Sequence, residues 1–312
     1  MKKIIVCLSA VLMLSACTSL NKNTVSYQTS KYDAAKYYVV AGEGDTKDAA
    51  SQKALDNMRQ ALIKNAPDME KDRLLTDLMA NANVDKVWRD KSTEQKHYFA
   101  LAVLSRNNAM RILAPEMNQL DGKLGALAAQ FTSPTEPLTD LRTAYRMQPL
   151  VARRTLLDET YQFLSPDHQG YAPESFRPYK NALKEKMAAV LVGVDVQGRE
   201  SKVMITHIVD ALNQMGLGVV DISDPDKELS VEIITDVDGY DSKKVQGLVW
   251  CSSSAAVSLV DATRDVTIAR FNVFERAGTS RAADSLRRSM EAAGEQAAKQ
   301  ITARLEAYLK TR

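Results

Sequence analysis

The chain is short of the residues that most often do chemistry. Its 312 residues include three histidines and three cysteines. His97, His168 and His207 show no His-x-x-x-His spacing, and no Cys-x-x-Cys pair occurs, so nothing converges on a metal. Cys7 lies in the leader described below and Cys17 directly follows it, so Cys251 is the one cysteine of the body and has no second cysteine there to pair with. Charge of one sign is also lacking. The chain carries 41 basic and 39 acidic residues, and two of the lysines, Lys2 and Lys3, belong to the leader. The body is therefore balanced, without the basic excess of a nucleic-acid binder. Beyond the first 16 residues no apolar run approaches the roughly 20 residues that a membrane-spanning helix needs.

Four short motifs invite chemistry and fall short of it. "AGEGD" and "GLG" have spaced glycines but no following Lys-Ser/Thr, so they read as turn glycines and not as a phosphate loop. "DVDGYDSKK" resembles a calcium loop through Asp236, Asp238 and Asp241 around Gly239. Lys243 and Lys244 stand where acid is wanted and the bidentate Glu is missing, so a tight hairpin turn is expected. "WCSSSA" offers Cys251 as a nucleophile with His207 as its base. A reactive thiol needs a lowered pKa and exposure, whereas a lone cysteine in an apolar strand reads as a small buried hydrophobe. No catalytic, cofactor-binding or metal-binding residue is assigned, and no enzyme activity is expected. Trp88, Trp250, Tyr98 and Phe99 lie in predicted strands and are read as core. The small residues of "CSSSAAVSLV" predict close packing by another backbone, either the C-terminal helix or a second subunit.

What the chain does have begins at its start. Lys2 and Lys3 form a basic region, residues 4 to 13 an apolar one, and Ser15 and Ala16 precede a cut. The stretch "LSAC" resembles the lipobox of bacterial lipoproteins. That resemblance implies acylation of Cys17, which becomes the first mature residue, and several acyl chains at roughly 0.8 kcal/mol per buried CH₂ make such an anchor stable. Thr18 stands where an Asp would favour the inner membrane in Gram-negative relatives, so the resemblance implies an outer-membrane anchor with the body in the periplasm. Residues 1–16 are then the signal peptide and 17–35 the lipidated N-terminus with a flexible tether, polar from Asn21 to Ser30.

The body reads as α+β, two small helix-on-sheet domains joined by a helical connector. In 36–111, "KYYVVAGEG" is a strand, Asp45 caps a helix carrying Ala50, Ala54, Leu55, Met58 and Leu62, and "VDKVWRD" and "KHYFALAVLSR" form a hairpin. The connector, 112–186, has helical patterning broken by prolines, and "SPDHQGYAPESFRPYK" is a loop. In 187–312, "AVLVGVDV", a helix and "LGVVDI" precede a three-stranded meander. A closing helix follows, repeating Leu286, Met290, Ala293, Ala297, Ile301 and Leu305.

"VVAGEGDTKDAASQKAL" with "VWRD" and "HYFALAVLSR" resembles the N-terminal domain of the Lpp-twenty family of envelope lipoproteins, a domain related to one in the flagellar protein FlgT. The order of the last block is similar to that of the curli-secretion lipoprotein CsgG and of the N-terminal domain of TolB. These resemblances imply a non-enzymatic scaffolding or assembly role in the envelope, partnered by the outer membrane and by envelope proteins or peptidoglycan. Self-association into a homo-oligomer is left open. Two alternatives stand beside that expectation: a regulator of peptidoglycan synthases, and, from another class, an envelope hydrolase.

Overall fold

The computed structural model describes residues 23–91, 94–131, 137–198, 201–240 and 247–310, with the side chains of 201 and 236–240 excepted. Cys17 and Thr18, and the side chains of "DVDGYDSKK", lie outside them. The architecture is α+β and falls into two units. One comprises the residues up to Ala114 with Glu159–Gly170, the other Pro115–Asp158 with Tyr171–Arg312. None of the described helices is long and apolar enough to cross a membrane.

Unit one is a three-stranded antiparallel sheet in the order β1-β3-β2, from β1 (Tyr37–Gly44), β2 (Ala82–Arg89) and β3 (Tyr98–Ser105). β3 reads YFALAVLS, an apolar run without alternation. Residues 100 to 104 are all buried, as expected of a central strand covered on both faces. One face is covered by α2 (Lys47–Asn65), whose Ala50, Ala54, Met58 and Leu62 form the stripe that meets the sheet. The cap of this helix is Thr46 and not Asp45, with its hydroxyl accepting from the Ala49 amide. The glycines of "AGEGD" are not turn residues. They lie in β1 where α2 comes closest: a Cβ on Gly42 would stand 2.1 Å from the Ala54 nitrogen. A 3-10 turn (Pro67–Lys71) and α3 (Arg73–Met79) add Met69, Leu74, Leu75 and Leu78 to the core.

Residues expected to be a tether are fastened to β2. After the N-cap Thr24, Val25–Thr29 form a short helix, α1, with Gln28 buried. Trp88 Nε1 donates to the Asn23 carbonyl at 2.7 Å, and Lys86 Nζ to Gln28 Oε1 at 2.7 Å. The Tyr32 hydroxyl donates to Asp85, and burial first, then that carboxylate, push the phenol up to about 12. From Asn23 onward the expected tether is therefore part of the fold, because Asn23, Gln28 and Tyr32 find partners on β2.

The expected connector is shared between the units. Its helices are α4 (Arg106–Ala128), α5 (Pro137–Leu164) and α6 (Pro173–Ala188). Pro115, Pro149 and Pro178 lie inside them and do not end them, each forfeiting one ladder bond. "SPDHQGYAPESFRPYK" is a loop only as far as Ala172, and Pro173 opens α6. The end of α5 belongs to unit one, where Arg106 Nη1 donates to the Phe163 and Leu164 carbonyls at 3.0 and 2.7 Å and Tyr38 packs edge-on against Phe163.

Unit two carries a five-stranded mixed sheet, β5-β4-β6-β7-β8. β4 (Leu191–Gln197), α7 (Ser201–Gln214) and β5 (Gly218–Asp221) form a parallel crossover. β6 (Leu229–Tyr240), β7 (Val249–Asp261) and β8 (Val266–Thr279) form the predicted meander, and α8 (Ala282–Lys310) closes it. Every second residue of β7 from Cys251 to Asp261 is buried, and α7 and α8 pack on that face. The small-residue strand is matched from within by Ser289, Ala293 and Ala297 of α8. Helices α4 to α6 extend the same core through Leu124, Leu141, Met147 and Leu183. Arg154 is fully buried in this unit. Its guanidinium lies 3.0 Å from Asp121 and 3.3 Å from Asp158, with the Phe176 ring 4.7 Å away.

Candidate functional site

The sequence-singled residues are scattered. His97 immediately precedes β3, with Nε2 3.5 Å from Glu43 Oε2 and its ring edge-on to Phe99. His168 is exposed on the loop before α6 with a left-handed backbone (φ 55°). His207, on α7, lines a groove of about 490 Å³ against α8 with Asp210, Glu295, Lys299 and Glu306. Cys251 is 1% exposed, and the polar contact of its sulfur is the Ser252 carbonyl at 3.8 Å. Among the described residues no three His, Cys, Asp or Glu side chains come together in a way that would hold a metal. Trp88, Tyr98 and Phe99 are half-buried and not the core residues expected; the Trp88 ring centre lies 5.5 Å from that of Phe99 and its Nε1 donates to the Asn23 carbonyl. Trp250 is half-buried, and the Arg276 guanidinium lies 4.9 Å from its ring centre.

A charged cluster inside unit two is structural in its geometry. Burial works to raise the Asp261 carboxyl. Hydrogen bonds from the hydroxyls of Thr263 and Tyr308 and from the Arg264 amide outweigh it, so the group stays below the usual carboxylate range. The Tyr308 hydroxyl donates at 2.7 Å, and the Arg142 guanidinium lies 5.1 Å from its ring. The cluster pins the end of α8 to the end of β7.

No family model and no curated protein matches the chain. Solved structures do. A secreted protein, HP1454 of Helicobacter pylori, aligns over 85% of this chain and 97% of its own, at 12% identity and a TM-score of 0.38. A protein described as a lipoprotein from Caulobacter crescentus CB15 covers 38% of this chain and 89% of its own (16% identity, TM-score 0.29). A minor lipoprotein from Acinetobacter baumannii covers 38% and 93% (9% identity, TM-score 0.28). The structural neighbours are thus bacterial lipoproteins and secreted proteins, at a level of similarity that transfers no chemistry.

The feature that sequence reading missed is the second face of the unit-two sheet. Residues that point away from α7 and α8 include Ile234, 64% exposed, and Phe274, 60% exposed. Between them β7 presents Ser254 and Ala256, in register with Phe274 and with both Ile234 and Asn272. Two apolar side chains thus flank a floor of small ones. Farther along, Ser258 stands between Glu232 and Arg270. The signal was present in "VTIARFNVFERAGT", where Arg270, Asn272, Phe274 and Arg276 alternate with Ala269, Phe271 and Val273. A Phe in the polar register of a strand marks a face that is not simply wet.

Proposed function

We propose that the chain is an outer-membrane lipoprotein, acylated at Cys17 with its body in the periplasm, that acts by non-enzymatic contact in envelope assembly or scaffolding. The observation that carries the anchor is the cysteine that ends a basic-then-apolar leader at "LSAC". Thr18 supports the outer membrane over the inner. The structure adds support for a short reach. Six peptide steps separate Cys17 from Asn23, whose carbonyl is bound by Trp88, and at about 3.5 Å per residue they span roughly 20 Å at most. Unit one is then held beside the bilayer. A contact role is supported by the open face bearing Ile234 and Phe274.

The test is Cys17→Ser in cells given labelled palmitate. The expected outcome is loss of the label and accumulation of the precursor. An equally labelled variant would overturn the anchor. Thr18→Asp is expected to move the protein toward inner-membrane fractions on a density gradient, and an unchanged profile would overturn the outer-membrane part alone.

A further inference from the structure

The two edges of the unit-two sheet are built differently. β5, at one edge, has four residues. β8, at the other, has 14, is bonded to β7 along one side, and carries neither proline nor lysine. Native edge strands are usually blunted by shortness, proline, charged side chains or a bulge, and of these β8 carries the charges Arg270, Glu275 and Arg276. β8 has a bulge, but it falls at the start of the strand, where Leu259 pairs with Ala269 and Val260 with Thr267. From Ala269 to Thr279 the strand is regular, and the midpoint of that stretch is Phe274, one of the few large apolar side chains left exposed.

We propose that β8 pairs antiparallel with β8 of a second copy, about a two-fold axis at Phe274. The pairing joins two five-stranded sheets into one of ten. The register follows from side-chain chemistry. With the axis at Phe274 the two phenyl rings meet as a cross-strand aromatic pair, Asn272 faces Arg276 of the second copy, and Arg270 faces Gly278. On the inner side Phe271 faces Ala277 and Val273 faces Glu275. No like charges stand opposite one another, and the regular stretch is used along its whole length. Moving the axis by one residue, to Val273, sets Arg270 against Arg276 twice, which cross-strand energetics disfavours.

The helices accommodate this arrangement. α8 packs on β7 and β8, so with strands about 4.8 Å apart its counterpart lies about 10 Å away, near the usual spacing of packed helices. A strand from an unrelated protein could use the same edge, but it would not supply the matched Phe274 pair.

The experiment uses the full-length chain in its own membranes, with single cysteines and copper-phenanthroline oxidation. Opposed residues in an antiparallel pair have Cα atoms about 4.5–5.5 Å apart, inside the range that a disulfide bridges. Phe274→Cys is expected to give a reducible dimer several-fold above the parent chain. Ile234→Cys, equally exposed but two strands from the edge, is expected to stay at the parent level, and Asn272→Cys, four positions from its own copy in this register, to stay close to it. Phe274→Cys at the parent level, or a stronger dimer from Asn272→Cys or Ile234→Cys, would overturn the proposal. All three positions are exposed, so the substitutions leave the fold intact.

Discussion

β3 and β7 are both interior strands with antiparallel neighbours, and they are buried in opposite styles. β3 is apolar without a break from Phe99 to Leu104, and from Ala100 onward it is buried. β7 alternates, with Cys251, Ser253, Ala255, Val257 and Leu259 inside and Ser252, Ser254, Ala256 and Ser258 outside. The difference reports how many faces of each sheet are covered. Sheet one has α2 on one side and residues 23–32 fastened to β2, and both faces of β3 are buried from Ala100 to Leu104. Sheet two has α7 and α8 on one side, and among the described residues its other side leaves Ile234 and Phe274 exposed. A sheet closed on both faces is a finished structural unit, whereas one left open on a face and along a 14-residue edge keeps a surface for partners.

The largest expected effect comes from glycines that serve these two styles. Gly42 faces α2, and its added Cβ would meet the backbone of Lys53 and Ala54 at 2.1–2.6 Å. Main chain cannot swing aside, so Gly42→Ala is expected to lower the stability of unit one by about 3 kcal/mol. Gly278 lies on the other side of sheet two from α8, where the nearest atoms to an added Cβ belong to the Trp250 ring, at 2.7–3.0 Å. That ring can move outward, and Gly278→Ala is expected to cost below about 1 kcal/mol. The two tryptophans make the comparison measurable, since Trp88 reports unit one and Trp250 unit two in urea titrations. Equal losses would break the contrast between closed and open faces.

Much of this was legible in the sequence because each element carries its own period. The strands, α2, α7 and α8 fall where apolar spacing puts them, and the small residues of β7 predicted close packing by another backbone, which the structure shows to be α8. What escaped was set by partners distant in sequence. Nothing local to "NTVSYQTSKY" tells that Asn23 and Gln28 will meet Trp88 and Lys86. Nothing in "TYQFL" tells that Phe163 will pack on Tyr38 in unit one while the rest of its helix serves unit two. The glycines of "AGEGD" look the same whether they turn the chain or admit a helix, and only the position of Ala54 decides. The internal prolines misled for the opposite reason. The local cost at Pro115, Pro149 and Pro178 is real, but the buried faces of long helices outweigh it.

A middle-sized effect is expected where unit two relies on a polar fastening that has no counterpart along β3. Tyr308→Phe removes the hydroxyl that donates to Asp261, at a cost of about 1 kcal/mol near neutral pH. Asp261 is held below its ordinary range in the fold, so its contribution is present above the unfolded carboxyl pKa of about 3.9. That contribution is lost as pH falls through the lower, folded value. The variant's deficit should therefore be full at pH 7 and shrink below about pH 4, as read from urea midpoints followed by Trp250. A deficit independent of pH would mean that the hydroxyl acts by packing and not by stabilising the carboxylate.

The smallest expected effect probes the open face itself. Ile234 is a strand residue of the same general type as Leu101, yet it is 64% exposed while Leu101 is fully buried. At about 25 cal/mol per Å² of apolar area removed from water, a side chain that stays largely wet contributes little to folding. Thr keeps the β-branch that suits a strand, so Ile234→Thr is expected to change the stability of unit two by no more than about 0.5 kcal/mol. Leu101→Ala in unit one should instead cost about 2–5 kcal/mol, the range for emptying a packed site. Melting curves of the two variants place them on one scale. If Ile234→Thr cost more than about 1.5 kcal/mol, the outer face of sheet two would be covered in the folded chain. Unit two would then be closed in the manner of unit one, and the surface assigned to partners would have to be sought in the groove between α7 and α8.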